Sequence, residues 1–284
     1  MPCIVYEDAG DGVARVLLDR PEQRNAQSPR LLYDLDAAFL RAATDEGVRV
    51  IVLAAAGTDF SSGHDLKSEL ELPGPPTATL TGPTSERGPA ERQFAFECEA
   101  YLGLCRRWRE IPKPTIAEVQ GRVIAGGLML IWPLDLVVAA DDAVFSDPVT
   151  AFGLNGGEYF AHAWEFGARK AKELLFTGDH ITATEAKALG MVNHVVPASE
   201  LTSFTMSLAR RIATRPPHGL RLAKMSVNRS LDAQGLQGAI DVAFALHQAG
   251  HANNLVRYGD LVDPTGYEAI RAGARAAARG PSVP

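Results

Sequence analysis

An α/β protein is predicted from three features of the 284-residue sequence. Two β-rich stretches, Cys3 to Glu7 and Val13 to Asp19, flank the turn cluster Asp8-Ala-Gly-Asp-Gly12. Leu31, Leu32, Leu35, Ala38, Phe39 and Ala42 then recur at helical spacing over Leu31 to Ala43. Arg49-Val-Ile-Val-Leu-Ala54 is a continuous apolar run, as expected of a strand covered on both faces. Strands with an intervening helix build layered α/β domains.

The remaining elements follow in order. Asp19 to Ala26 is a loop, and Gly57-Thr-Asp-Phe-Ser-Ser-Gly63 ends the apolar strand. From Leu72 to Pro89 the composition shifts to Pro, Gly, Thr and Ser, predicting a mobile loop of the kind that serves as a lid. Arg92 to Arg109 is predicted helical and is stopped by Ile111-Pro-Lys-Pro114. Thr115 to Val119 is a short strand that runs into Gly121-Arg-Val-Ile-Ala-Gly-Gly-Leu-Met-Leu130, a glycine turn opening a helix. Gly126 and Gly127 let backbone approach a ligand closely, and the first N–H groups of a helix face outward without intrahelical partners. Such a turn suits a developing negative charge. On its own it reads equally as a tight turn feeding a buried helix. Pro133 ends that helix, and Leu136 to Ala140 is a further buried strand.

Composition narrows the function class. The length predicts one large domain, or one domain with an appendage. A net charge of −6 argues against a protein that tracks nucleic-acid phosphates. Cys3, Cys98 and Cys105 have neither disulfide-framework nor metal-like spacing, so no metal site is expected. The first eight residues show no basic or apolar targeting pattern, and the apolar run Leu128 to Leu134 is too short to span a bilayer. No membrane association and a cytoplasmic location are expected.

Four motifs occur together: Asp19-Arg-Pro…Asn25-Ala26, Phe60-Ser-Ser-Gly-His-Asp-Leu66, Pro114-Thr-Ile-Ala-Glu-Val-Gln-Gly…Ala125-Gly-Gly127 with Asp135, and Phe176-Thr-Gly-Asp…Ala183…Glu185-Ala186…Leu189-Gly-Met-Val192. In this combination the chain resembles the crotonase superfamily, the enoyl-CoA hydratase/isomerase family. The resemblance covers about the first two thirds of the sequence, and the stretch from His247 onward departs from the common ending. It implies a spiral of ββα repeats with two roughly perpendicular sheets over residues 1–200. A helical region over residues 201–284 would pack between subunits of a homo-oligomer, a trimer or a dimer of trimers. The implied substrate is an acyl-CoA thioester, with CoA as part of the substrate and no separate cofactor. Its enolate would be stabilised by the backbone N–H groups of His64 and Gly126, with Gly127 the alternative to the latter.

The sequence departs from the family where protons are moved. Hydratases of the family place two glutamates at positions that are Met129 and Val149 here. Adding water across a conjugated double bond needs an acid and a base, and neither side chain supplies one. Glu158, after Gly153-Leu-Asn-Gly-Gly157, is the first candidate replacement, one residue past a position where some relatives carry an aspartate. His162, four residues on, would share a helix face with it and pair with it. A surface pair at a helix start, where Glu suits the dipole, is weighed equally. Asp147 flanks Val149 and is the next candidate, though a loop Asp holding local backbone is the stronger reading. Glu118 is expected to play a structural part, paired to Arg or Lys. His64 has an imidazole to offer, although its mapped role needs only its N–H.

For CoA, the resemblance places Arg24 near the phosphates, Ala26 and Ser62 on the adenine side, and Lys67 just beyond the oxyanion loop. A solvated arginine is nearly as good a reading of Arg24. Met129, Val149 and Phe152 suggest an apolar acyl pocket, although core packing uses the same residue types. Three functions remain open. They are enolate chemistry of hydratase/isomerase type with non-standard acid/base groups, hydrolysis, C–C cleavage or decarboxylation on the same scaffold, and acyl-CoA binding without catalysis.

Overall fold

The computed structural model describes residues 3–66 and 88–277. Lys67 and the expected lid, up to residue 87, lie outside the described residues. Strands β1 (Ile4–Asp8) and β2 (Val13–Leu18) form an antiparallel hairpin, followed by α1 (Pro29–Thr44) and β3 (Val50–Ala55). Beyond residue 87 come α2 (Pro89–Phe96), a π-helical stretch (Glu97–Gly103) and α3 (Leu104–Arg109). Then follow β4 (Thr115–Val119), β5 (Arg122–Ile124), α4 (Gly126–Ile131), β6 (Leu136–Ala140), β7 (Val144–Ser146), α5 (His162–Thr177), β8 (His180–Thr182), α6 (Ala183–Leu189) and β9 (His194–Val196). Helices α7 (Leu201–Ala213), α8 (Pro217–Ala233), α9 (Leu236–Tyr258) and α10 (Gly266–Ala277) complete the described chain.

Two sheets result. The larger has the order β1-β2-β3-β4-β6-β9 and is parallel from β2 onward; the smaller has the order β5-β7-β8. Every residue of β3 and β4 is buried, which explains the unbroken apolar run of β3 and the lack of polar alternation in β4, where Glu118 is the one charge. One face of the large sheet joins the main core, where α1 and α3 contribute Leu35, Phe39 and Trp108. The other face, with Val50, Val52, Ile116 and Val138, is covered by Leu201, Met206, Leu208 and Ala209 of α7. Helix α7 is therefore part of the core layer of this chain. Each fully buried Leu, Ile or Phe in these layers contributes about 1.5–3 kcal/mol. Glu118, the charge within β4, is 3% exposed and bonded at 2.8 Å to Arg15 Nη2, as expected.

The helix expected over Arg92 to Arg109 is divided by the π-helical turn. A Cβ on Gly103 would sit 2.8 Å from the Cys98 carbonyl oxygen, so the wider turn closes where only glycine fits. Such turns occur frequently at functional sites. No helix among the described residues is long and apolar enough to cross a membrane.

Candidate functional site

The site is assembled where the loop after β3 meets the start of α4. Ser61 pairs with Val123 of β5, and Gln27 pairs with His64, each as an isolated parallel bridge. The Gln27 N–H donates to Gly63 O at 2.8 Å, and the Asp65 N–H donates to Gln27 O at 3.0 Å. Asn25 is fully buried; its Nδ2 donates to Ala56 O and Asp59 O, each at 2.9 Å, which ties the Asp19–Ala26 loop to the same turn. Gly63 has φ +88°, and a Cβ there would lie 2.8 Å from Ile124 O and 3.4 Å from Gly126 N. The two glycine turns thus touch backbone to backbone, in a contact that any side chain at residue 63 would break.

Between them lies Ala125, with φ 48° and ψ −109°. A non-glycine residue in the left-handed region costs of order 1–3 kcal/mol and persists only where its surroundings enforce it. Here the Ala125 N–H donates to Ser146 O of β7 at 2.9 Å, which fixes the entry into α4. Helix α4 is completely buried.

The His64 ring leans over this junction. The position a Cβ would take on Gly126 is 2.6 Å from His64 Cε1 and 2.8 Å from its Nδ1. The imidazole stacks on Tyr101, with ring centroids 3.9 Å apart and planes 12° from parallel. Its Nε2 is 3.1 Å from Glu158 Oε2. Burial opposes a charge on His64, but the Glu158 carboxylate outweighs it and raises the imidazole pKa. Burial likewise opposes charge on Glu158, and His64 outweighs it, so this carboxyl titrates below its usual range. His64 Nδ1 is buried without a hydrogen-bond partner among the described residues.

The pairing expected between Glu158 and His162 is not found. Helix α5 begins at His162, so Glu158 lies in the turn before it and shares no helix face with it. Partners are exchanged instead: Glu158 faces His64, and His162 Nε2 is 2.7 Å from Asp147 Oδ2. His162 is fully buried between Trp132 and Phe160, with ring centroids 4.7 and 4.3 Å away. Asp147 also accepts the N–H groups of Val149 at 3.2 Å and Gly157 at 2.9 Å. Burial raises the Asp147 pKa, and the His162 hydrogen bond outweighs that and lowers it. The pair anchors the turn that carries Glu158. We expect Asp147→Asn to destabilise the protein by about 1–3 kcal/mol in urea unfolding, the cost of weakening a buried charged hydrogen bond. Turnover per folded molecule should be largely kept.

Met129 is 2% exposed, and its sulfur lies 3.4 Å from where a Cβ would project from Gly157, beside Glu158. Val149 lies in a short 3-10 turn over Pro148–Phe152. Phe152 packs edge-on against Tyr267 of α10 at 5.0 Å, so the C-terminal helix covers that end of the 3-10 turn. Arg24 is exposed, with φ 52°, and its carbonyl accepts the Ser62 N–H at 3.0 Å. Ala26 and Ser62 are half-buried on the same loop pair.

Sequence reasoning missed Tyr101, Glu97, His247 and His251. His247 Nε2 is 3.6 Å from Glu158 Oε1, so the region beyond residue 247 reaches the site. The signal was present as two histidines four residues apart, inside the stretch that departs from the common ending.

Comparisons with known proteins bear on the family and the fold. Residues 8–259 match the family model described as enoyl-CoA hydratase/isomerase. EchA13 of Mycobacterium tuberculosis, an enoyl-CoA hydratase in name, is 49% identical over 259 residues, spanning 88% of this chain and 81% of that protein. Human mitochondrial enoyl-CoA hydratase domain-containing protein 3 is 34% identical over 225 residues, 78% of this chain and 68% of that protein. Among solved structures, an enoyl-CoA hydratase/isomerase from Xanthobacter autotrophicus Py2 superimposes with a TM-score of 0.79 at 30% identity, covering 99% of both chains.

Proposed function

The chain belongs to the enoyl-CoA hydratase/isomerase family, and from that premise we propose that it transfers a proton at the α-carbon of an acyl- or enoyl-CoA thioester through an enolate. The observation that carries this reading is the pair formed by the half-buried His64 and the buried Glu158, 3.1 Å apart, against the start of α4. The His64 and Gly126 N–H groups receive the thioester oxygen, which gains charge as the α-carbon loses its proton. Donors fixed in advance are worth roughly 3 kcal/mol each in comparable oxyanion sites.

The electron pair of the breaking C–H bond moves to the thioester oxygen, and the proton moves to His64 Nδ1. Glu158 holds the opposite ring nitrogen and stabilises the imidazolium, as the carboxylate does in a Ser-His-Asp triad. In the reverse direction the imidazolium returns the proton to carbon. One pair moves one proton, which suits double-bond migration or exchange at the α-carbon. Met129 and Val149 leave the positions of the two hydratase glutamates without a second proton-transfer group.

Incubating the protein with a panel of acyl- and enoyl-CoA esters in heavy water, with mass-spectrometric readout, tests the proposal. Deuterium at the α-carbon, or a shifted double bond, is expected. Tight binding with neither outcome would leave an acyl-CoA-binding protein without catalysis, and would sink the enzymatic reading.

Arg24 would meet the CoA phosphates. Arg24→Ala is expected to raise KM for the CoA ester about two- to fivefold, the scale of an exposed charge contact. KM for a truncated thioester lacking the phosphates should not change.

A homo-oligomer fits the exposed apolar side chains of the C-terminal helices, Leu222 and Val227 on α8 and Val242 and Leu246 on α9. Sedimentation velocity is expected to return a trimer or a multiple of it.

A further inference from the structure

Behind the His64–Glu158 pair lies a second cluster with no part in the proton transfer described above. Glu97 comes from the π-helical stretch, and His247 and His251 come from one face of α9; they are 1%, 2% and 4% exposed. One ligand atom from each lies within 4.8 Å of those of the other two. His251 Nε2 is 3.1 Å from Glu97 Oε1, and His247 Nε2 is 3.8 Å from Glu97 Oε2.

Both rings are oriented in the same way. His247 donates its Nδ1–H to Gly156 O at 2.8 Å, and His251 donates its Nδ1–H to Leu261 O at 2.7 Å. In the neutral rings this leaves both Nε2 lone pairs directed at the carboxylate. Metal-binding histidines are typically fixed by such a hydrogen bond from the other ring nitrogen. Glu97 is positioned as well: Gln93 Nε2 donates to Oε1 at 2.6 Å, and Gln248 Nε2 donates to Oε2.

Lone pairs aimed at a buried carboxylate repel it. A proton on His251 satisfies its 3.1 Å contact with Glu97. It does nothing for His247 Nε2, which is buried without a hydrogen-bond partner among the described residues, 3.6 and 3.8 Å from two carboxylates. A divalent cation satisfies all three groups at once. Two imidazoles and one carboxylate form the donor set of open zinc sites and of the facial triad that holds ferrous iron. At ligand bonds of about 2.0–2.2 Å, donors around an ion sit roughly 3–3.5 Å apart. The contacts to Glu97, 3.1 Å from His251 and 3.8 Å from His247, are close to that spacing, and the three ligand atoms, which lie within 4.8 Å of one another, draw in by up to roughly 1 Å on binding.

We propose that Glu97, His247 and His251 bind one divalent transition-metal ion of the zinc type, with Glu158 beside the open coordination position. The site stands on its own residues and does not depend on the reading of His64 and Glu158.

The test uses the full chain freed of metal by a chelator and titrated with Co2+, whose visible absorption reports a low-symmetry protein site. Saturation at one equivalent is expected, with the band displaced by Zn2+ and the unfolding temperature raised by each metal. Glu97→Gln and His247→Ala should each weaken binding at least ~10-fold. X-ray absorption of the zinc-loaded wild-type protein needs no variant to fold. It should show nitrogen and oxygen ligands including imidazole, and no sulfur. Absence of a stoichiometric Co2+ band, sulfur in the zinc shell, or unchanged binding in both folded variants overturns the proposal. None of these readouts involves turnover, so failure here is separate from failure of the enolate chemistry.

Discussion

Glu158→Gln is expected to lower kcat by up to about 10⁴-fold, the scale of replacing the carboxylate that orients a catalytic histidine by its amide, while leaving acyl-CoA affinity nearly unchanged. Glutamine keeps the size of the side chain and removes the charge that supports His64 at 3.1 Å. A pulse of substrate with mass-spectrometric readout measures turnover, and equilibrium titration measures binding; full activity in the variant would refute the assignment. The same substitution changes the dependence of stability on pH. The folded-state pKa of His64 is raised, so its contribution is complete below the ordinary imidazole value of about 6.5 and is lost as pH rises through the higher folded value. The folded-state pKa of Glu158 is depressed, so its contribution is complete above the ordinary value of about 4.3 and is lost as pH falls through the lower one. Wild-type unfolding temperatures should therefore be highest between these ordinary values, relative to the variant. The difference should narrow toward alkaline pH.

Gly126→Ala is the second large effect. The new Cβ would sit 2.6 Å from His64 Cε1, 2.8 Å from its Nδ1 and 3.0 Å from Gln27 Oε1. The ring must move, and it is held by Tyr101 on one face and Glu158 at its tip. Turnover should fall by at least about 10²-fold, the loss seen when a single oxyanion donor is removed. A loss confined to KM, with kcat intact, would show that the backbone here binds substrate without assisting the reaction. Circular dichroism on the same sample separates this from unfolding.

Much of the architecture was legible in local sequence. Thr115–Val119 and Leu136–Ala140 appear as strands with the bounds expected, because two-sided burial leaves an apolar run, interrupted in the first only by Thr115 and the paired Glu118. The four glycine- and proline-bearing motifs identified the family because each fixes a backbone geometry that few sequences share. The π-helical turn was not legible. It depends on a close approach between Gly103 and Cys98 O, which no periodicity records. The misplaced partner of Glu158 has a similar origin. A spacing of four residues predicts contact only if both residues are helical, and the helix begins at His162.

What the sequence determined by itself was the class of fold, the family and the two backbone turns proposed to hold a thioester. These follow from residue types that restrict local conformation: glycines, a proline stop and apolar strands. Only tertiary structure decided which ionisable groups meet. It placed Glu158 on His64, Asp147 on His162, and Glu97 between His247 and His251, across 94, 15 and up to 154 residues of chain. The charge state of a buried group is set by neighbours at 3–4 Å, and those neighbours are chosen by packing rather than by position along the chain.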